Sequence, residues 1–185
     1  GERPSGRECL TSTGVAQSLV LRDYLTKAIS PGGPIEKGFD DIFLSPSPRV
    51  QSTLTPFLKS NKLTATMVES LTECCYQGAS YKYEENVIAS RDLLLNACNK
   101  PTAGGGIHTI LAGTHGETMR YLVKELTGSF MREYPHHAEP YILMRNMNAG
   151  AKYPFYVYAK TPVQKIRTYE NPRGASCASR RWRAL

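Results

Sequence analysis

Residues 107–128 read IHTILAGTHGETMRYLVKELTG and contain the strand-to-helix junction that decides the fold. The apolar run at residues 107–113 predicts a buried strand. From Gly116 onward, apolar residues recur at the i, i+3, i+4, i+7 spacing of a helix with one buried face: Met119, Leu122, Val123 and Leu126. Gly128 predicts the C-terminal cap of that helix. A strand that leads directly into a helix is the repeating unit of α/β folds.

The same alternation continues on both sides of this junction. Three further helices are predicted at residues 12–29, 48–59 and 81–99. In the first, apolar residues recur at i, i+4 spacing, as in Val15 and Leu19, and the second has Pro48 at its first helical position. Four further strands are predicted at residues 41–45, 64–68, 138–144 and 154–159. This order implies an α/β fold, a three-layer α/β/α sandwich around a mostly parallel central sheet.

Composition excludes several protein classes. The 185 residues are 41% hydrophobic and 21% charged, which is typical of one globular domain and not of a disordered chain. No run of apolar residues reaches the length of a membrane span. The five cysteines are irregularly spaced, which argues against a zinc site and favours a reducing, cytoplasmic location.

The net charge of +7 is concentrated near the C-terminus. Residues 160–185 hold seven basic residues and one acidic residue, so the rest of the chain is close to neutral. Residues 161–185 are therefore predicted to be a basic, loosely ordered tail, and residues 1–160 the domain. A basic tail on a neutral body makes nucleic acid an unlikely main partner, although a weak contact of the tail stays a third hypothesis.

Two predicted strand-to-helix junctions carry residues suited to an anion. The first is residues 45–49, SPSPR, and the second is residues 113–117, GTHGE. Helix N-termini offer free N–H groups, and Arg49 and His115 add a guanidinium and an imidazole. Because the carboxyl ends of parallel strands meet at one edge of a sheet, the two junctions together predict a phosphate pocket. Taken alone, Arg49 is more often a solvated arginine at a helix start, and His115 is more often a hydrogen-bonded histidine in the core.

The order of the motifs is more specific than any one of them. LTxxGxxQ at residues 10–17 is followed by SPSPRxxxT at 45–53, LxE at 71–73 and THGE at 114–117. This series resembles the histidine phosphatase superfamily, also called phosphoglycerate mutase-like, over residues 1–128 and on to about 159. The resemblance implies that residues 1–160 are a histidine phosphatase-like domain with the phosphoglycerate mutase-like fold.

The resemblance also implies roles for particular residues. Family members hold phosphate between two histidines and two arginines, and a carboxylate protonates the leaving oxygen. On this sequence His115 matches the second histidine, Arg49 the second arginine and Glu73 the usual proton donor, with Glu2 as the alternative donor. Further substrate-binding residues are expected at the same edge of the sheet: Gly1, Glu2, Ser45, Thr114 and Gly116. Neither a metal nor an organic cofactor is implied.

The sequence departs from the family at its N-terminus. The first, nucleophilic histidine belongs to an Arg-His-Gly motif, and the histidines here are His108, His115, His136 and His137. Gly1-Glu2-Arg3 resembles the remainder of Arg-His-Gly-Glu-Arg cut just after the histidine. We therefore expect that the sequence is incomplete or starts late, with the strand that ends in Arg-His missing from it.

The function predicted is that of a phosphomonoester hydrolase acting on a phosphorylated small molecule or a phosphoprotein. A phosphatase is favoured over a mutase because the segments around the site are short and leave little chain to exclude water. The second hypothesis is a catalytically inactive module that binds a phosphorylated ligand or a protein partner. The oligomeric state is open, a homodimer included.

Overall fold

A computed structural model describes residues 10–73, 83–101, 108–131, 134–145 and 152–160. Four helices lie in this part of the chain: α1 Ser12–Ala28, α2 Pro48–Ser60, α3 Tyr83–Cys98 and α4 Gly116–Thr127. Five strands accompany them: β1 Asp41–Leu44, β2 Thr66–Met67, β3 Ile110–Gly113, β4 Tyr141–Arg145 and β5 Phe155–Lys160. A short 3₁₀ turn at Glu69–Leu71 follows β2. The predicted elements are thus confirmed in type and order, and the tail predicted at 161–185 lies outside the described residues.

The central sheet is parallel, with strand order β2–β1–β3. Phe43 of β1 is level with Thr66 of β2, and Leu44 is level with Gly113 of β3. The strands β4 and β5 form a separate antiparallel pair, with a register shift between Ile142 and Leu143. The carboxyl ends of β1, β2 and β3 therefore point in one direction, as a parallel sheet requires.

Alternate side chains of β1 enter two different apolar clusters. Ile42 and Leu44 pack with residues of α1 and α2, including Leu25 and Phe57. Phe43 points the other way and packs with residues of α3, α4 and β5: Leu94, Ala97, Leu122, Leu126 and Phe155. Helices thus cover both faces of the sheet, and the predicted three-layer α/β/α architecture is confirmed. Each fully buried large side chain stabilises the fold by about 1.5–3 kcal/mol.

The ends of α1 follow from local chemistry, but its buried face does not. Thr11 caps the helix, its hydroxyl accepting a hydrogen bond from the N–H of Gly14 at 3.1 Å. The i, i+4 pattern through Val15 and Leu19 located the helix, yet these side chains are 48% and 40% exposed. The side chains buried against α2 and β1 are instead those of Leu21 and Leu25. Several sides of α1 are apolar, so packing against α2 decides which one is buried.

The two helices that follow β1 and β3 begin and end at the residues the sequence indicated. Pro48 is the first residue of α2, where its missing N–H costs no hydrogen bond. Gly128 ends α4 in the left-handed conformation, with φ of 72°. Within the described residues, no helix has the length and apolar character needed to span a membrane.

Candidate functional site

Three predicted functional residues lie where the chain leaves the three parallel strands. Arg49 is in the first turn of α2, after β1, and His115 is the N-terminal cap residue of α4, after β3. Glu73 follows the 3₁₀ turn that succeeds β2. Because β1, β2 and β3 are parallel neighbours, all three residues are delivered to the same edge of the sheet.

Arg49 and Glu73 form an ion pair at this edge. A guanidinium nitrogen of Arg49 donates a hydrogen bond to Oε2 of Glu73 at 3.1 Å. The side chains are 49% and 30% exposed, so water and salt screen the pair and its contribution to stability is small. The pair holds the carboxylate of Glu73 beside the cation that an incoming anion would contact.

Ser45 and His115 connect the other two junctions. Oγ of Ser45 lies 3.0 Å from Nε2 of His115, and it accepts a hydrogen bond from the N–H of Ser47 at 3.2 Å. Ser45 is fully buried. The hydroxyl hydrogen of buried Ser45 needs an acceptor, and Nε2 of His115 is the one that the described residues place within reach, so we assign the hydrogen to Nε2. His115 then carries its own proton on Nδ1, and that nitrogen is the donor left for a ligand.

The environment of His115 favours its neutral form. Burial lowers the pKa of His115 from its ordinary value of 6.5, the negative charge of Glu73 opposes this, and the positive charge of Arg49 adds to it. A neutral imidazole with a fixed tautomer donates a hydrogen bond without bringing a second full charge to a site that already holds Arg49.

Two glycines beside His115 allow the local backbone to pack closely. A Cβ atom on Gly113 would lie 2.6 Å from a methyl of Leu44 and 2.7 Å from a methyl of Leu54. A Cβ atom on Gly116 would lie 2.5 Å from the hydroxyl of Tyr134. Any larger residue in either position would displace the strand or the aromatic ring, so the glycines keep His115 at the start of α4.

Two threonines fasten the segment before Glu73 to the segment that carries His115. The hydroxyl of Thr114 donates to the carbonyl of Leu71 at 2.7 Å, and that of Thr118 donates to the carbonyl of Thr72 at 2.8 Å. The sequence predicted Thr114 as a substrate-binding residue and not in this role, and it did not single out Thr118. Its signal was present, since Thr118 lies four residues before Leu122 on the apolar face of α4, and a polar residue there is an exception to the pattern.

In the described structure, Arg49 contacts Glu73 and Ser45 contacts His115. Thr114 contacts the segment before Glu73, and Gly116 is the first residue of α4. The remaining predicted site residues, Gly1 and Glu2, lie outside the described residues. Among the residues that are described, no group of three or more histidine, cysteine, aspartate or glutamate side chains is arranged to hold a metal.

A second histidine lies at the opposite end of β3. His108 precedes this strand, and its Nε2 is 2.9 Å from a carboxylate oxygen of Asp41, the first residue of β1. Lys100 contacts the same oxygen at 3.3 Å. Partial burial raises the pKa of Asp41, but hydrogen bonds from His108 and Lys100 outweigh this and hold it below 3.8. This cluster stabilises the amino end of the sheet and is separate from the candidate site.

Comparisons with known proteins show a fold shared with phosphatases. No protein-family model matches the chain, and no curated protein matches it. The solved structure of a mycobacterial glucosyl-3-phosphoglycerate phosphatase aligns with 80% of this chain and 85% of its own, with a TM-score of 0.59 and 14% identity. A protein described as mycobacterial hydrolase 1 aligns with 82% and 86%, with a TM-score of 0.60 and 12% identity. The chain therefore shares the fold of these two solved structures, as the resemblance drawn from its motifs implied.

Proposed function

We propose that this chain forms the phosphate-binding centre of a phosphomonoester hydrolase of the histidine phosphatase type. The observation that carries the proposal is the meeting of Arg49, Glu73 and His115 at the carboxyl edge of the parallel sheet. A cation and a neutral histidine donor can stabilise the charge of a transferring phosphoryl group, and a carboxyl group can protonate the leaving oxygen. The shared fold supports this assignment at the level of the family.

Substrate binding would use donors from two elements. The guanidinium of Arg49 grips phosphate oxygens with its planar fork. Nδ1–H of His115 and the N–H groups at the start of α4 would donate to the same phosphate. The partial positive charge at the N-terminus of the helix would also attract it. Phosphate then competes with Glu73 for Arg49, because both anions accept hydrogen bonds from the same guanidinium N–H groups. Binding would release Glu73 from its ion pair and leave its carboxyl group beside the bound phosphate.

The reaction would proceed in two steps. A nucleophilic histidine attacks phosphorus, a P–N bond forms, the bond to the leaving oxygen breaks, and the proton of Glu73 goes to that oxygen. Water then attacks phosphorus, the P–N bond breaks, phosphate leaves, and Glu73 takes the proton that water gives up. The resemblance assigns the nucleophile to an Arg-His-Gly motif, and residues 1–185 contain no Arg-His pair.

A second function is the binding of a phosphorylated ligand without turnover, which the positions of Arg49 and His115 support equally. Arg49, His115 and the start of α4 would still hold phosphate, but no phosphohistidine would form. A phosphorylated small molecule or a phosphoprotein is the ligand we propose in either case. The cytoplasmic location and a homodimer stay predictions from the sequence.

The test separates binding from turnover in the full-length protein. Hydrolysis of p-nitrophenyl phosphate is measured together with the affinity for inorganic phosphate, the latter by calorimetry. We expect turnover that His115→Ala abolishes, and phosphate binding about 10-fold weaker in Arg49→Ala, since a charge-assisted hydrogen bond of a half-exposed side chain is lost. His137→Ala, at an exposed position, and Arg22→Ala, on α1 in an ion pair with Asp23, are the controls.

Each outcome selects one function. Phosphate binding with turnover supports the hydrolase, and phosphate binding that depends on Arg49 without turnover supports the binding module. Turnover that survives His115→Ala, or phosphate affinity that is the same in Arg49→Ala as in wild type, would remove the pocket assignment altogether.

A further inference from the structure

The segment that carries Glu73 is tied to α4 at two consecutive carbonyl groups. Thr114 donates to the carbonyl of Leu71, and Thr118 donates to the carbonyl of Thr72. Thr114 and Thr118 stand on either side of His115, one before it and one in the first turn of α4. The two hydroxyl groups therefore connect the backbone directly before Glu73 to the backbone directly around His115.

Burial makes this connection stiff. Thr118 and Leu71 are both fully buried, and the side chain of Leu71 lies in the apolar cluster with Leu122 and Leu126 of α4. Thr72 is further fixed from its own side, because its N–H and its hydroxyl both donate to the carbonyl of Glu69, at 3.0 and 2.7 Å. Glu73 thus emerges from a segment that cannot move without breaking buried hydrogen bonds.

We infer that Thr118, with Thr114, is a positioning residue that sets the distance of the Glu73 carboxylate from His115 and Arg49. That Glu73 is a proton donor rests on the proposed function, whereas its positioning by the threonines does not. Neither threonine hydroxyl acts on the substrate; each is used on a backbone carbonyl. The catalytic carboxylate is held by α4, the same helix whose start would bind phosphate, so the proton donor and the phosphate site share one rigid support.

A purely structural role is the competing explanation, since a buried carbonyl needs a donor wherever it lies. The two explanations differ in what they predict for His115. If Thr118 only satisfies a carbonyl, its loss loosens the region and admits water to the imidazole. If Thr118 positions Glu73, its loss moves a negative charge away from an imidazole that otherwise stays buried.

These changes shift the titration of His115 in opposite directions. The negative charge of Glu73 raises the pKa of His115, while burial and the nearby charge of Arg49 lower it. Withdrawal of Glu73 therefore lowers the pKa further, whereas entry of water raises it towards 6.5. The pKa can be measured by NMR from the imidazole C–H signals, which His115→Gln assigns.

The experiment compares four variants of the full-length protein with wild type. Thr118→Val removes the hydroxyl and keeps the shape, Thr118→Ser restores the hydroxyl, and Glu73→Gln removes the charge and gives the reference shift. Thr127→Val is the matched control, because its hydroxyl donates to the carbonyl of Val123 at 2.7 Å at the far end of the same helix. We expect Thr118→Val to lower the pKa of His115 by at least half of the shift in Glu73→Gln, with no shift in Thr118→Ser or Thr127→Val.

An unchanged or raised pKa of His115 in Thr118→Val would overturn the inference. If Thr118→Val does not fold, Thr114→Val tests the other hydrogen bond with the same expected direction. The readout needs no turnover, so an inactive wild-type protein would refute the proposed hydrolase and leave the positioning of Glu73 to be decided by the titration alone. Where wild type is active, Thr118→Val should lower kcat for an alkyl phosphate at least 10-fold, while KM changes less than threefold. A tenfold loss of kcat corresponds to about 1.4 kcal/mol of activation free energy.

Discussion

Arg49 and Glu73 form a 3.1 Å ion pair at the carboxyl edge of the parallel sheet, although the two residues come from different strand-to-helix connections. The pair has two consequences for chemistry. It keeps a carboxyl group within reach of any anion that Arg49 binds, and it gives Arg49 a partner that the anion must replace. The free site is therefore neutralised, and the proposed substrate would exchange one anionic partner of Arg49 for another.

Glu73→Gln should affect substrates according to their leaving groups. A general acid contributes about 10²–10⁴-fold when the leaving oxygen is strongly basic, and little when it is already a good leaving group. We expect turnover of glycerol phosphate to fall by about that factor in the full-length protein, and turnover of p-nitrophenyl phosphate to fall much less. Steady-state kinetics on both substrates measure the difference. Equal losses on the two substrates would show that Glu73 is not the proton donor.

Ser45→Ala should destabilise the fold more than its size suggests. The substitution leaves Nε2 of His115 and the N–H of Ser47 without the oxygen that both contact. A buried polar group that loses its partner costs about 1–3 kcal/mol, and here two groups share the loss. Urea unfolding of the variant and of wild type at one pH gives the difference in free energy.

Ser47→Ala is the matched control for that measurement. Ser47 is the N-terminal cap residue of α2, but its side chain makes no capping hydrogen bond, and its backbone N–H survives the substitution. We expect its free energy of unfolding to stay within about 0.5 kcal/mol of wild type. If Ser45→Ala were as mild as Ser47→Ala, the hydrogen bond between Ser45 and His115 would not be a real contributor to stability.

Local signals explain why so much of the fold was predictable. Pro48 at a helix start, Gly128 at a helix end and the apolar run of β3 each act on neighbours within a few residues. The sequence did not predict which face of α1 is buried, because that face depends on where α2 lies. Secondary structure and layer order follow from such signals, whereas burial follows from packing between distant segments.

The site could be predicted only as far as topology allows. That Arg49, Glu73 and His115 share an edge follows from parallel strands. The contact of Ser45 with His115 joins residues 70 positions apart, and that of Thr118 with Thr72 joins residues 46 apart. No periodicity links such positions, because each hydrogen bond depends on side-chain directions that are set only when the sheet and α4 have packed. The sequence could therefore name the residues at the edge and not their partners.

Gly113→Ala should destabilise the sheet by overpacking. The added methyl would lie 2.6 Å from Leu44, 2.7 Å from Leu54 and 3.0 Å from Val50, all of which are buried. We expect a loss of about 1–3 kcal/mol in the free energy of unfolding. The check is a double-mutant cycle with Leu54→Ala, which removes one of the atoms in the way. The cost of Ala at position 113 should shrink in that background, and strictly additive losses would contradict the steric explanation.

The titration of His115 should make the free energy of unfolding depend on pH. Burial lowers the pKa of His115 below 6.5 in the folded state, with Glu73 opposing and Arg49 adding to the shift. The unfolded chain therefore binds the proton more tightly, so the free energy of unfolding is constant above pH 6.5 with respect to this group. It decreases as the pH falls below 6.5 and stops decreasing once the pKa of the folded state is passed.

The carboxylate of Asp41 acts in a lower window, because its pKa lies below 3.8 in the folded state and its contribution is lost only as the pH falls below that value. Urea unfolding between about pH 5 and pH 8 therefore excludes the contribution of Asp41 from the comparison. We expect His115→Gln to flatten the dependence in this range, and His137→Gln, at an exposed position, to leave it as in wild type. A wild-type profile that is already flat, or one that His137→Gln flattens as much, would mean that His115 is not the buried neutral group that the site requires.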